Sequence, residues 1–163
     1  MTLRALIAAS FLVVAGLCRA QGSAFTTGDG LSQDSSQVVY QLNLGARTLT
    51  QVGAAGSINN NPVTLLNGLA FRSDGNLYAV AQVNGSSPLL VTLSRTLGKA
   101  SLVSQINGVP STSGSSLSLA FSCDDHLWMA SSDSGNLWEL TPGTGQTRAI
   151  GNLGAKIDRK SVV

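Results

Sequence analysis

The densest group of potential ligands in this 163-residue chain is Asp124-Asp125-His126. Two carboxylates and an imidazole are the donor types that hold divalent cations. Their spacing opposes such a role, because three consecutive residues at a hairpin tip splay in direction and do not converge on one ion. The expectation is turn chemistry, in which Asp side chains accept hydrogen bonds from nearby backbone amides and tolerate unusual φ. Cys123 stands three residues before His126, the only histidine of the chain. A catalytic thiol needs a histidine and an orienting group assembled around it. Two residues on one tight turn do not make that arrangement, so Cys123 is expected as a small buried or half-buried residue beside the turn. No catalytic, cofactor-binding or metal residue is assigned, and no cofactor.

Glu139 is the only glutamate and lies between Trp138 and Leu140, so on an alternating strand it faces away from both. A lone acid is a poor general acid or base without a partner. It reads as solvent-facing charge that discourages edge pairing. Trp128 and Trp138, with Tyr40 and Tyr78 at corresponding repeat positions, have the chemistry of a carbohydrate-stacking surface. They fall at the same phase as Leu and Val in each hairpin, which favours packing in the core. Gly143-Thr144-Gly145 reads as a hairpin turn and not as a phosphate loop, since no helix follows it.

The elements that must position these residues come from an internal repeat. Gly68 to Ala79 (GLAFRSDGNLYA) and Ser118 to Met129 (SLAFSCDDHLWM) superpose without a gap, with Leu69 and Leu119 separated by 50 residues. A second pattern occurs three times, as YQLNLGARTLTQVG from Tyr40, VTLSRTLGKASLVS from Val91 and WELTPGTGQTRAIG from Trp138. Its anchors Leu42, Leu93 and Leu140 are spaced by 51 and 47. Each pattern is a β-hairpin. In the first, apolar runs flank Asp74-Gly75 or Asp124-Asp125. In the second, alternation such as Tyr40, Leu42, Leu44 leads through a Gly-containing turn, giving strands with one face in and one face out. Residues Gly53 to Pro62 and Asn107 to Ser116 read as surface loops.

Two hairpins make a four-stranded antiparallel sheet, and a period of 40 to 50 residues is that of a β-propeller blade. With "LAF…DG.LYAV" followed by "LW.LTP.TGQT..IG", the chain resembles the blades of exported bacterial β-propeller repeat proteins, the neighbourhood of NHL-like, YncE-like and WD40-like propellers. The resemblance covers Val38 to Gly154. It implies an all-β partial β-propeller of two four-stranded blades plus one hairpin, over residues 38–157, and leaves function open because this fold hosts many activities. The middle repeat departs from the pattern at Thr96-Leu97-Gly98, and the second LAF hairpin has Asp125-His126 in place of Gly75-Asn76.

The chain is 43% hydrophobic and only 11% charged, with a mean hydropathy of +0.21, which favours a turn-rich exported protein over a charged helical one. Arg4 and Arg19 account for the whole excess of ten basic over eight acidic groups. Without a Lys/Arg cluster, neither a nucleic-acid nor an anionic-membrane partner is expected. Arg4, the apolar run Leu6 to Leu17 and the small residue Ala20 form a secretory signal peptide over residues 1–20, cleaved after Ala20. Its 12-residue apolar core is too short to span a bilayer, which needs about 20 residues. Cys18 as a lipidated residue is the competing reading, opposed by Leu17 where a small residue is wanted. Residues 21–37 are expected as a polar lead-in. The final six residues, Asp158 to Val163, hold three charges and resemble a translated sequencing adapter, so they are expected to be non-native. A third LAF hairpin would begin beyond Val163, so the chain reads as cut short and prone to self-association.

The preferred functional reading is a secreted or periplasmic, non-catalytic propeller that binds a protein or polysaccharide at the cell exterior or serves as a repeat scaffold. The alternative is a piece of a propeller enzyme, such as a lactonase-like hydrolase, whose metal ligands converge from several blades.

Overall fold

The computed structural model describes residues 23–29, 37–109 and 117–154. Among the described residues there are twelve strands and no helix: β1 (Ser23–Asp29), β2 (Gln37–Asn43), β3 (Thr48–Ala54), β4 (Ser57–Ile58), β5 (Asn61–Phe71), β6 (Leu77–Val83), β7 (Leu89–Leu93), β8 (Ala100–Gln105), β9 (Leu117–Phe121), β10 (Leu127–Ser131), β11 (Asn136–Thr141) and β12 (Gln146–Asn152). They form three antiparallel meanders, β1-β2-β3, β4-β5-β6-β7-β8 and β9-β10-β11-β12. The architecture is all-β, a partial β-propeller of consecutive sheets.

The repeated hairpins lie where the sequence pattern puts them. Val91 on β7 pairs with Leu102 on β8, and Trp138 on β11 pairs with Ala149 on β12. The two LAF hairpins close through the same bonds 50 residues apart. Arg72 N–H donates to the Asn76 carbonyl and Gly75 N–H to Arg72 O, both at 3.0 Å, and Ser122 to His126 and Asp125 to Ser122 repeat those bonds at 3.0 Å.

Three differences from the expected elements stand out. The segment 21–37 contributes β1, which pairs with β2 from Ser23 opposite Asn43 to Asp29 opposite Gln37. The stretch Gly53 to Pro62 is not a plain surface loop. It holds the end of β3, the short strand β4 and the start of β5, with Asn59 and Asn60 at φ 50 and 62 making the turn, and it buries Ala55 and Ile58. The middle sheet is buried on both faces instead of one. Leu77, Ala79, Ala81, Val91 and Leu93 join the core shared with the first sheet, while Tyr78, Val80 and Leu90 join the core shared with the third. Asn107 makes a parallel bridge to Gln146. Residues 110–116 of the second expected loop, the expected signal peptide 1–20 and the tail 158–163 expected to be non-native lie outside the described residues.

Each sheet therefore buries an apolar layer against the next. Full burial of one large aliphatic or aromatic side chain contributes roughly 1.5–3 kcal/mol. The inter-sheet layers, with Leu66 and Leu77 in one and Leu127, Met129 and Leu140 in the other, are the main source of stability.

Candidate functional site

The β9–β10 turn carries Cys123, Asp124, Asp125 and His126, and its three ligand-type side chains reach three different partners. Asp125 sits at φ 63, where the preceding repeat has Gly75 at φ 84. Aspartate is one of the few residues that accept this left-handed backbone. From there its carboxylate crosses to the preceding sheet. Ser73 N–H donates to Asp125 Oδ1 at 3.2 Å and Ser73 Oγ to Oδ2 at 2.7 Å, with Arg72 Nε 3.4 Å from Oδ2. The Ser73 bonds, helped by the Arg72 charge, hold the Asp125 carboxyl below the usual carboxylate range.

Asp124 stays within its own turn. Ser122 Oγ donates to its Oδ1 at 2.5 Å and lowers its pKa. In the first LAF hairpin the equivalent Asp74 instead accepts from Asn76 N–H at 2.9 Å. Both arrangements are turn chemistry.

His126 turns to the sheet surface, with its Nδ1 2.6 Å from Glu139 Oε1 and its Nε2 3.6 Å from Asp124 Oδ2. Glu139 is also paired with Arg148, whose Nε donates to Oε2 at 2.9 Å and whose Nη2 donates to the same oxygen. The bond to Glu139 and the charge of Asp124 raise the His126 pKa, and the bonds from His126 and Arg148 lower that of Glu139. Glu139 is thus not a lone solvent-facing charge. Its side chain is 20% exposed, and its strand β11 is interior to the sheet. Sequence reasoning missed this pairing, although the register carries its signal: Glu139 lies opposite Trp128 on β10 and Arg148 on β12, and His126 shares the face of Trp128 two residues away.

The remaining candidates separate. Tyr78 and Trp138 are 7% and 6% exposed in the core between the second and third sheets, and Tyr78 meets Phe121 edge to face with centroids 5.2 Å apart. Tyr40 and Trp128 are half-buried on outer faces. Trp128 lines a shallow apolar groove with Ala120, Ala130 and Leu137. Cys123 is exposed, contrary to its expected burial, on the turn between the end of β9 and the start of β10. Gly143-Thr144-Gly145 is the β11–β12 turn, closed by Gly145 N–H to Thr141 O at 2.8 Å. Among the described residues, no group of three or more His, Cys, Asp or Glu side chains is arranged to hold a metal ion. Also among the described residues, no helix is long and apolar enough to cross a membrane.

No protein-family model matches the chain, and no curated protein matches it. Solved structures are similar in fold. A structural genomics protein of unknown function from Bacteroides thetaiotaomicron VPI-5482 superposes with a TM-score of 0.58 at 16% identity, over 80% of this chain and 31% of its own. At that identity the likeness is one of fold alone, and this chain spans about a third of that protein's length. YCF48 bound to D1 peptide aligns with a TM-score of 0.36 at 14% identity, over 74% of this chain and 38% of the other, a superposition too loose to bear on fold or partner.

Proposed function

We propose that the chain is an exported, non-catalytic β-propeller repeat protein, a binding or scaffold module at the cell exterior whose partner is a protein or a polysaccharide. One observation carries the reading: the residues richest in potential chemistry are engaged in holding sheets and turns together. Asp125 fastens the third sheet to Ser73 of the second, at 2.7 Å between side chains, and Glu139 is held between His126 and Arg148. Export follows from the basic, apolar and small-residue sequence of residues 1–20, with cleavage after Ala20.

Calorimetric titration of the purified protein with calcium tests the reading. The expected result is no saturable heat. A saturable heat that disappears in Asp124→Ala would contradict it and favour the metal-dependent, lactonase-like alternative.

A further inference from the structure

We propose that the outer face of the third sheet, formed by Ala120, Trp128, Ala130 and Leu137, binds the face of the first sheet that carries Tyr40 and Leu42 in a second copy of this chain, head to tail. The inference depends on how the repeats pack and not on the role proposed above.

The argument is one of equivalent positions. Ala70, Tyr78 and Val80 precede Ala120, Trp128 and Ala130 by 50 residues, and Leu90 matches Leu137 in the alignment of the second hairpin pattern. In the second sheet those four positions are 8%, 7%, 1% and 0% exposed. They are covered there by the third sheet, whose Leu117, Leu119, Leu127, Met129, Trp138 and Leu140 share their cluster. In the third sheet, Trp128, Ala130 and Leu137 are half-buried and Ala120 is exposed. Trp128 is larger than Tyr78 and Ala130 smaller than Val80, so the bulk of the face is roughly kept. The groove along Trp128 thus matches the surface that one repeat earlier receives a sheet, except that Glu139 and Arg148 pair beside it where the second sheet has Thr92 and Ser101.

The complementary half lies at the other end of the chain. Trp138 and Leu140 cover the second sheet, and their equivalents Val91 and Leu93 belong to the core shared with the first. The equivalents in the first sheet are Tyr40 and Leu42, which are half-buried. Val39, between Val38 and Tyr40, points the other way into the core at 0% exposure. One chain therefore presents the receiving face at one end and the inserting face at the other. Docking one on the other repeats a contact already made twice within the chain. Such an interface is heterologous, so it builds closed rings or open filaments and not isologous pairs.

Light scattering coupled to size exclusion, on the full chain over a range of concentrations, tests this. The wild type is expected to rise above the mass of one chain as concentration increases. Trp128→Lys and Tyr40→Lys are each expected to weaken association by about 100-fold, as loss of a central aromatic anchor does. Each variant keeps one intact face, so an equimolar mixture of the two is expected to give one-to-one pairs and nothing larger. Far-UV circular dichroism checks that both variants fold, and Trp128→Ser with Tyr40→Ser replaces the pair if either does not. A wild type that stays at the mass of one chain overturns the proposal, as does association that neither substitution weakens. A mixture that yields no pairs, or species larger than pairs, overturns it too.

Discussion

A side chain at Gly145 would place its first carbon 1.7 Å from the carbonyl oxygen of Gln105, so the outer turn of the third sheet meets the end of the second backbone to backbone. One repeat earlier the same holds, since a side chain at Gly98 would place its first carbon 2.4 Å from the Gly53 oxygen. The Asn107 N–H to Gly145 O bond of 2.8 Å and the Ala100 N–H to Ala55 O bond of 2.9 Å close these two seams.

Gly145→Ala is therefore expected to cost more than the roughly 1–3 kcal/mol of a strained left-handed residue, because the Gln105 carbonyl must also move. Gly85→Ala is the control: Gly85 has φ 68, but no atom lies within 4 Å of an added carbon. Urea unfolding of the two variants separates the effects. A loss at Gly145 no larger than that at Gly85 would contradict the seam.

The pairing of His126 with Glu139 predicts a pH dependence. The folded His126 pKa lies above its ordinary 6.5 because Glu139 accepts its hydrogen bond and Asp124 adds negative charge. The stabilisation is fully present below pH 6.5 and is lost as pH rises through the raised folded value. NMR titration of the ring is expected to give a midpoint above 6.5, falling back toward it in Glu139→Gln. Equal midpoints in the two proteins would show that the pair does not form in solution.

Burial of the middle sheet on both faces makes substitutions on either face costly. Leu90 and Leu93 point to opposite cores and are 0% and 4% exposed. Leu90→Ala and Leu93→Ala are each expected to lose about 2–5 kcal/mol. Leu44→Ala, at a residue 62% exposed, is expected to change stability by less than about 0.5 kcal/mol. Chemical denaturation that finds either core substitution as mild as Leu44→Ala would mean that one face of the middle sheet is solvated.

The hairpins were legible because LAF, the Asp-containing turn and the following apolar run are local signals, and a 50-residue repeat gives each one twice. The left-handed backbone at Asp125 was legible in the same way, through its alignment with Gly75. What the sequence concealed depends on contacts between separate segments. β1 takes the place of β6 and β10 beside its hairpin but carries no copy of their sequence pattern, so only its pairing with β2 reveals it. At Leu89, Leu90 and Val91 apolar residues fill consecutive positions, a signal of burial on both faces that the expectation of one face in and one face out passes over. Of Asp124, Asp125 and His126, expected to splay, Asp124 and His126 lie 3.6 Å apart and only Asp125 crosses to another sheet, and its carboxylate finds Ser73, 52 residues away, only once two sheets are stacked. Glu139 was read as lone charge because its partners arrive from the neighbouring strands β10 and β12.

Asp125 also predicts how stability responds to acid. Its folded pKa lies below the ordinary 3.8, chiefly because Ser73 donates to it. Its contribution is fully present above pH 3.8 and is lost as pH falls through the lowered folded value. Ser73→Ala is expected to make the acid limb of the stability profile shallower, and an unchanged limb would remove the contact from the account.

The joining of successive sheets through the turn cluster is tested most directly by a double-mutant cycle of Ser73→Ala and Asp125→Gly at neutral pH. Glycine at 125 keeps the backbone conformation that Gly75 adopts and removes the side chain, and its effect on the unfolded chain cancels around the cycle, so the cycle isolates the contact across the seam. The prediction is that each single substitution destabilises the protein and that the double variant loses less than the two together. Losses that add within experimental error would contradict it, leaving Asp125 a residue of its own turn and the two sheets unconnected at this point.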